Sequence, residues 1–125
     1  VKGVRPGQST GYGRQFVAER ETVVATIPVG YGDGYRRAFS NRVDVLIGGE
    51  HRPLVGTVSM DNVTVELGAG TDVLPGAEAV LLGTQEDRSI TAEELARAIG
   101  TINYEITCGF GPRLPRLHHR DGQEP

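Results

Sequence analysis

Glycine limits the fold of this chain more than any other residue. It accounts for 18 of the 125 residues, about twice its usual share of roughly 7 percent in globular proteins. Because glycine in a helix interior costs about 1 kcal/mol relative to alanine, this content argues against a helical bundle. Apolar residues make up 38 percent of the chain, which is enough for an ordinary globular core. We therefore expect one domain built from short elements.

Short runs of alternating or β-branched residues predict several β-strands. The clearest alternation covers residues 42–47, with Val43, Val45 and Ile47 on one face. Gly48-Gly49 then supplies a two-residue hairpin turn, so we expect a return strand over residues 51–59. Residues 62–67 alternate in the same way and predict a half-buried strand. Further strands are predicted at residues 22–29, 79–82, 102–107 and 113–117.

One segment breaks this pattern and predicts a short helix at about residues 91–99. Thr91 and Glu94 stand at the spacing of a capping box, and Ile90 and Leu95 at that of a hydrophobic staple. Gly100 then ends the helix, as a left-handed residue does after a last turn. The predicted fold class is mainly β: a small barrel-like domain of short strands with one short helix.

Charge and composition exclude several classes of function. The net charge is −3 from 13 basic and 16 acidic side chains, and no basic stripe suits nucleic acid. No apolar run approaches the roughly 20 residues that cross a bilayer. The single cysteine, Cys108, indicates a reducing compartment, so we expect a cytoplasmic protein. Lys2 is the only lysine, so chemistry that needs a buried lysine is incomplete within this chain.

Common catalytic and metal-binding motifs are missing from the sequence. The glycines do not match a dinucleotide or phosphate-binding loop, and no Gly-x-Ser-x-Gly elbow is present. The pair His118-His119 has no third ligand at metal spacing, and His51 lies beside the hairpin turn. The sequence therefore predicts no metal site.

Four polar motifs interrupt or adjoin the predicted strands: Gly11-Tyr12-Gly13, Gly30-Tyr31-Gly32-Asp33-Gly34, Ser59-Met60-Asp61 and Asn103-Tyr104-Glu105. A tyrosine between glycines can lie on a tight turn with its phenol accessible. Each motif also has a structural interpretation. The Gly-Tyr-Gly rings would cover the edge of the core, Met60 would fill the core, and Tyr104 would be a buried ring with its hydroxyl paired.

Taken in order, the four motifs resemble the alanine racemase C-terminal domain. The resemblance extends over Ile27 to Gly34, Val55 to Asp61 and Thr101 to Glu105, and it ends with Pro112-Arg113-Leu114-Pro115-Arg116. The chain departs from the common family pattern at Gly11, Gly32 and Ser59, where many members have Ser, Ala and Cys. None of these departures removes a side chain to which the resemblance assigns a role.

The resemblance implies a domain at residues 1–119, and the polar composition of residues 120–125 predicts a flexible tail. The resemblance also implies a preceding (β/α)8 barrel that is absent from this chain. Such an enzyme interconverts L- and D-alanine for peptidoglycan synthesis. Its cofactor is pyridoxal phosphate, attached to a lysine of the barrel, and two subunits form a head-to-tail homodimer. The expected partners of this chain are the barrel, the second subunit and the alanine substrate, with no nucleic acid and no membrane.

The resemblance also assigns roles to four residues, and turn chemistry predicts a supporting role for Asp61 beside Met60. Tyr12 would be the catalytic base delivered to the partner subunit, and Tyr31 would line the corridor to the partner's site. The Met60 backbone N–H would bind the substrate carboxylate, with Asp61 fixing the Met60 turn. Tyr104 would donate to the cofactor phosphate within its own subunit. The isolated chain is expected to be inactive.

A second hypothesis from a different class is a free-standing binding module, in which a small barrel presents aromatic loops to a peptide, a sugar or a partner protein. The lone lysine is compatible with both hypotheses, because neither requires this chain to bind the cofactor covalently.

Overall fold

The structure is a computed structural model that describes residues 1–10, 16–18 and 20–119. Most of its elements are short strands, followed near the end by two α-helices. The strands are β1 (Lys2–Val4), β2 (Ser9–Thr10), β3 (Phe16–Val17), β4 (Thr22–Ile27), β5 (Asp44–Ile47), β6 (Glu50–Pro53), β7 (Val63–Glu66), β8 (Ala79–Val80), β9 (Gly83–Gln85) and β10 (Arg88–Ile90). The helices are α1 (Ala92–Ile99) and α2 (Asn103–Gly109), and 3-10 turns cover Tyr31–Asp33 and Arg37–Phe39. The mainly β class is confirmed.

Two antiparallel three-stranded sheets form the body of the domain. One has the strand order β1-β4-β7 and the other β6-β5-β8. A bridge between Leu54 and Val65 joins them, because the chain leaving β6 runs along β7. The pairs β2-β3 and β9-β10 form separate ribbons. All these sheets are small, and those of the described residues do not close on themselves.

The predicted hairpin is confirmed at β5 and β6. Gly48 and Gly49 have φ angles of 64° and 74°, which a tight turn between two strands requires and which glycine adopts without steric cost. The return strand is shorter than predicted and ends at Pro53. Proline has no N–H for the ladder. After one more hairpin bond, from the Leu54 N–H to the Val43 carbonyl, the Val55 N–H donates to the Thr64 carbonyl of β7.

The core lies on both faces of β5. Val45 and Ile47 pack in one apolar cluster, as the alternation predicts, whereas Val43, predicted on the same face, packs in a second cluster. Leu46, predicted on the polar face, is also fully buried, and it packs with Phe39 and Leu95 in that second cluster. The alternation indicated one buried face, but α1 and a 3-10 turn cover the other. The half-buried strand β7 is confirmed, since Val63 and Val65 are buried.

The predicted helix at residues 91–99 is confirmed as α1. Thr91 Oγ1 accepts from the Glu94 N–H at 3.1 Å, and Gly100 ends the helix with a φ of 74°. Ile90 and Leu95, the predicted staple pair, are both buried in the same cluster.

The strand predicted at residues 102–107 is wrong, because Asn103 to Gly109 form helix α2. The β-branched residues of this segment indicated a strand, but a helix places Ile106 in the core beside Leu95. The Asn103 side chain also donates to Glu93 of α1 at 3.2 Å. Tertiary packing therefore overrides local preference here.

The strand predicted at residues 113–117 is also wrong, since this segment is irregular. Pro115 removes one of the N–H donors that a strand over these residues would need. No helix of the described residues is long and apolar enough to span a bilayer.

Candidate functional site

The pairing of β4 with β7 brings two of the sequence motifs together. The strands are antiparallel, and the last residue of β4, Ile27, lies opposite the first residue of β7, Val63. The loop that leaves β4 and the loop that enters β7 therefore meet at one edge of the sheet. The first loop carries Tyr31 and the second carries Met60.

The Tyr31 turn, residues 30–34, packs directly on the loop before β7. The Tyr31 N–H donates to the Ser59 carbonyl at 3.0 Å, and the Gly32 N–H donates to the Met60 carbonyl at 2.9 Å. A Cβ on Gly30 would lie 2.6 Å from the Met60 carbonyl carbon. Glycine is therefore required at position 30 by close backbone approach. The turn holds itself closed through Asp33 Oδ2, which accepts from the Gly30 N–H at 3.0 Å.

The Met60 turn, residues 59–62, is closed by its own hydrogen bonds. The Ser59 N–H donates to the Asn62 carbonyl, and the Asn62 N–H donates to Ser59 Oγ, each at 3.0 Å. The Met60 side chain is 52 percent exposed, so it does not fill the core. Its carbonyl accepts from Gly32, whereas no hydrogen bond donated by its N–H is found among the described residues. This turn therefore presents a backbone donor on a fixed loop.

Tyr104 lies in the first turn of α2, and its ring is 71 percent exposed. The interpretation of Tyr104 as a buried ring therefore does not hold. Arg36 Nη2 donates to the Glu105 carbonyl at 2.9 Å, and the Gly111 N–H donates to the Asp33 carbonyl at 2.9 Å. These two bonds tie α2 and the chain after it to the Tyr31 turn.

The structure thus brings three of the five predicted site residues to one place: Tyr31, Met60 and Asp61. Tyr31 is 49 percent exposed, so half of its ring faces outward from a closed turn. Tyr104 is carried by helix α2, whose last residue, Gly109, packs closely against Gly34 of the same turn. Tyr12 lies outside the described residues.

A surface cavity of about 440 Å³ opens between the two turns. Ligand pockets of roughly 300–1,000 Å³ are typical of small-molecule sites. Apart from Tyr31, Met60 and Asp61, the lining residues are Arg37, Thr57, Val58, Ser59 and Asn62. Arg37 and Asp61 both line this cavity, so its wall carries one cationic and one anionic residue. Sequence reasoning missed Arg37, since nothing in its local pattern distinguishes it from the other arginines.

Arg113 is the second site residue that sequence reasoning missed. Its Nη2 donates to Asp61 Oδ1 at 2.5 Å, and its Nε lies 3.4 Å from Asp33 Oδ1. The hydrogen bond to Asp61, and then the charge of Asp33, raise the pKa of Arg113. The only sequence signal was the Pro-Arg-Leu-Pro-Arg ending, which marks the segment and not its contacts.

Tyr35 differs from the site tyrosines because it is fully buried. Its ring packs on Phe39 with a centroid distance of 4.8 Å, and its hydroxyl has no hydrogen-bond partner in the described part of the chain. Burial, and then the charge of Asp44, raise the pKa of Tyr35 well above its ordinary value near 10. Tyr35 is therefore a core residue.

The histidines do not assemble with other ligands. His51 Nδ1 lies 3.5 Å from Asp44 Oδ2. Within the described ranges, no three His, Cys, Asp or Glu side chains are grouped as a metal site would require.

Comparisons with known proteins match nearly the whole chain. The family model described as "Alanine racemase, C-terminal domain" matches residues 1–118. Alanine racemase 1 of Clostridium acetobutylicum is 40 percent identical over 123 residues, and the alanine racemase of Cutibacterium acnes is 48 percent identical over 116 residues. These matches cover 98 and 93 percent of this chain and 32 and 31 percent of the relatives.

A solved structure gives the same result. The alanine racemase of Bacillus anthracis with bound L-Ala-P superimposes with a TM-score of 0.92 at 36 percent identity. The match covers 98 percent of this chain and 31 percent of the solved chain. The chain therefore spans about a third of the length of the racemases it matches.

Proposed function

Because this chain belongs to the alanine racemase C-terminal domain family, we propose that it acts as the part of a racemase that completes the active site beside a barrel domain. The observation that carries the proposal is the family match over residues 1–118. It favours this function over that of a free-standing binding module. The proposed reaction is the interconversion of L- and D-alanine for cell-wall synthesis, in the cytoplasm.

The proposed substrate contacts use the two turns described above. Met60 offers its backbone N–H to the substrate carboxylate, and the absence of a described partner for this N–H supports that role. Tyr31, half exposed at the mouth of the cavity, lines the path of the substrate. Asp61 fixes the Met60 turn through its bond to Arg113.

The residues present fit pyridoxal phosphate in one specific respect. The Tyr104 ring is exposed, and no hydrogen bond of its hydroxyl is found among the described residues, so it can donate to a phosphate oxygen. When bound, this cofactor supplies the electron sink that stabilises negative charge at the substrate Cα. Its covalent attachment is assigned to a lysine of the barrel, since Lys2 is exposed on β1.

Racemisation also needs two acid/base groups, one on each face of the substrate Cα. We assign one of these roles to Tyr12, acting in the site of the second subunit of a homodimer. An ordinary phenol with a pKa near 10 is a weak base at neutral pH. Tyr12 therefore requires positive neighbours that favour the phenolate, and the barrel is proposed to supply them.

The proposal is tested by comparing this chain alone with a protein that joins it to its barrel domain. Each is incubated with L-alanine and pyridoxal phosphate, and D-alanine is measured by chiral chromatography. The joined protein should form D-alanine, and the chain alone should form none above a blank. A joined protein that binds the cofactor but leaves alanine unchanged would contradict the proposal, as would turnover by the chain alone.

A further inference from the structure

We propose that Arg113 is a positioning residue that holds the Tyr31 turn and the Met60 turn in register by bridging Asp33 and Asp61. The bridge is a property of the fold of this chain. Its effect on substrate binding rests on the proposed function.

The bridge joins two carboxylates that belong to different loops. Asp33 lies in the Tyr31 turn and Asp61 in the Met60 turn, and one guanidinium reaches both, at 3.4 Å from Nε and 2.5 Å from Nη2. A guanidinium has five N–H donors in a rigid plane, so it can serve two acceptors at once. Each turn is thereby fixed relative to the other by a charged contact in addition to the backbone bonds.

Burial of Asp33 distinguishes one half of this bridge from an ordinary surface ion pair, whereas the Arg113 and Asp61 side chains are 46 and 58 percent exposed. The Asp33 side chain is 9 percent exposed, and its other oxygen accepts from the Gly30 N–H. A buried carboxylate that loses its counter-charge is strongly destabilising, whereas exposed pairs contribute little. Without Arg113, Asp33 would keep only the hydrogen bond from the Gly30 N–H. The Asp33 and Asp61 carboxylates would then both lack the guanidinium as a counter-charge.

The backbone delivers Arg113 to this position. The Gly111 N–H donates to the Asp33 carbonyl at 2.9 Å, which anchors the chain two residues before Arg113. Gly32 then leaves room for the guanidinium, since a Cβ there would collide with Arg113 Nη1. The hydrogen bond of Gly111 and the space beside Gly32 therefore direct the Arg113 side chain toward the two turns.

The consequence for function follows from what the turns carry. The Tyr31 ring and the Met60 N–H must face the substrate at fixed separation, and a displacement of about 1 Å at a binding group can cost up to a hundredfold in rate. Among the described residues, the polar contacts of Arg113 are to Asp33 and Asp61 and not to either group. Its role is to keep the separation constant.

Amide hydrogen exchange on the full 125-residue chain tests the bridge without any activity assay. The Tyr31 and Gly32 amides, bonded across to the Met60 turn, should exchange at least about tenfold faster in Arg113→Gln. The Leu54 amide, bonded to Val43 away from the site, should be unchanged. The matched control is Arg88→Gln, because Arg88 is an exposed arginine with only a 4.0 Å contact to Asp87. Unchanged exchange at Tyr31 and Gly32 in Arg113→Gln would overturn the proposal.

Kinetics of the joined racemase test the effect on the substrate. At a temperature where all variants are folded by circular dichroism, Arg113→Gln should raise the KM for alanine about tenfold with cofactor affinity within twofold of the parent. Arg113→Lys should give an intermediate KM, because an ammonium cannot bridge two carboxylates as a planar fork does. Arg88→Gln should match the parent.

A purely structural role for Arg113 would lower the melting temperature and leave the KM of the folded enzyme unchanged, and that result would overturn the positioning role. If the joined parent protein does not racemise alanine, the proposed function fails, and hydrogen exchange still decides whether the bridge holds the turns.

Discussion

Burial divides the described tyrosines of this chain into two chemical classes. Tyr35 is enclosed in the core with an unpaired hydroxyl, whereas the phenols of Tyr31 and Tyr104 face outward. The sequence shows four tyrosines beside glycine or polar residues but does not show which of them is enclosed. That distinction arises because Phe39 and the helices close over one of them.

Replacing Tyr35 with Phe should stabilise the domain. The change removes a hydroxyl that is buried without a partner among the described residues, which typically costs about 1–3 kcal/mol. We expect the free energy of unfolding of Tyr35→Phe at pH 7 to rise by about 1 kcal/mol in urea titrations. A fall of similar size would show that the hydroxyl has a stabilising partner.

The same variant should change the response to alkaline pH. The raised pKa keeps the folded Tyr35 phenol protonated at pH values where the unfolded chain has lost that proton. The unfolded state then binds fewer protons, so the free energy of unfolding falls as pH rises above about 10, by up to about 1.4 kcal/mol per pH unit. Tyr35→Phe should lose this component, and the exposed Tyr104→Phe should retain it.

Tyr104→Phe should weaken cofactor retention in the joined racemase. The substitution deletes one hydrogen bond to a charged phosphate, worth about 0.5–3 kcal/mol. Equilibrium dialysis should therefore show a higher Kd for pyridoxal phosphate, while racemisation in both directions recovers at saturating cofactor. An unchanged Kd would remove Tyr104 from the phosphate site.

At the scale of elements, close backbone approach controls the site more than side-chain chemistry does. Gly30→Ala would drive a Cβ into the Ser59 and Met60 backbone, and overpacking of this kind usually costs about 1–3 kcal/mol. Gly3→Ala is the matched control, since a Cβ there meets nothing within 4 Å. In urea titrations, the free energy of unfolding should fall strongly for Gly30→Ala and change by less than about 0.5 kcal/mol for Gly3→Ala. Equal effects would contradict the close packing of the two turns.

Local sequence patterns predict the elements that are stabilised by contacts between neighbours in sequence. The Gly48-Gly49 hairpin and the Thr91 cap need only neighbours in sequence, so both were predictable. Helix α2 was not, because Ile106 gains its burial from α1 and from residues elsewhere in the chain. The return strand is shorter than predicted for a similar reason, since the chain after Pro53 runs along β7, where Leu54 bridges to Val65.

At the scale of the whole molecule, the motifs were predictable one by one and their assembly was not. Tyr31 and Met60 meet because β4 pairs with β7, which alternation alone does not reveal. Arg113 reaches Asp61 across 52 positions of sequence, and such a contact leaves no periodic signal. The order of the motifs indicated the family, whereas the fold shows how they are held together.

We propose that this chain supplies one of the two acid/base groups of a racemase through Tyr12. The most direct measurement is α-deuterium incorporation into L-alanine and D-alanine, each assayed separately in D2O by mass spectrometry, with the joined protein and its Tyr12→Phe variant. We predict that the variant exchanges one enantiomer only and that racemisation falls by about 10² to 10⁴. Tyr35→Phe, a core variant, should exchange both. Exchange of both enantiomers by Tyr12→Phe, with racemisation within twofold of the parent in each direction, would show that Tyr12 is not one of the two acid/base groups.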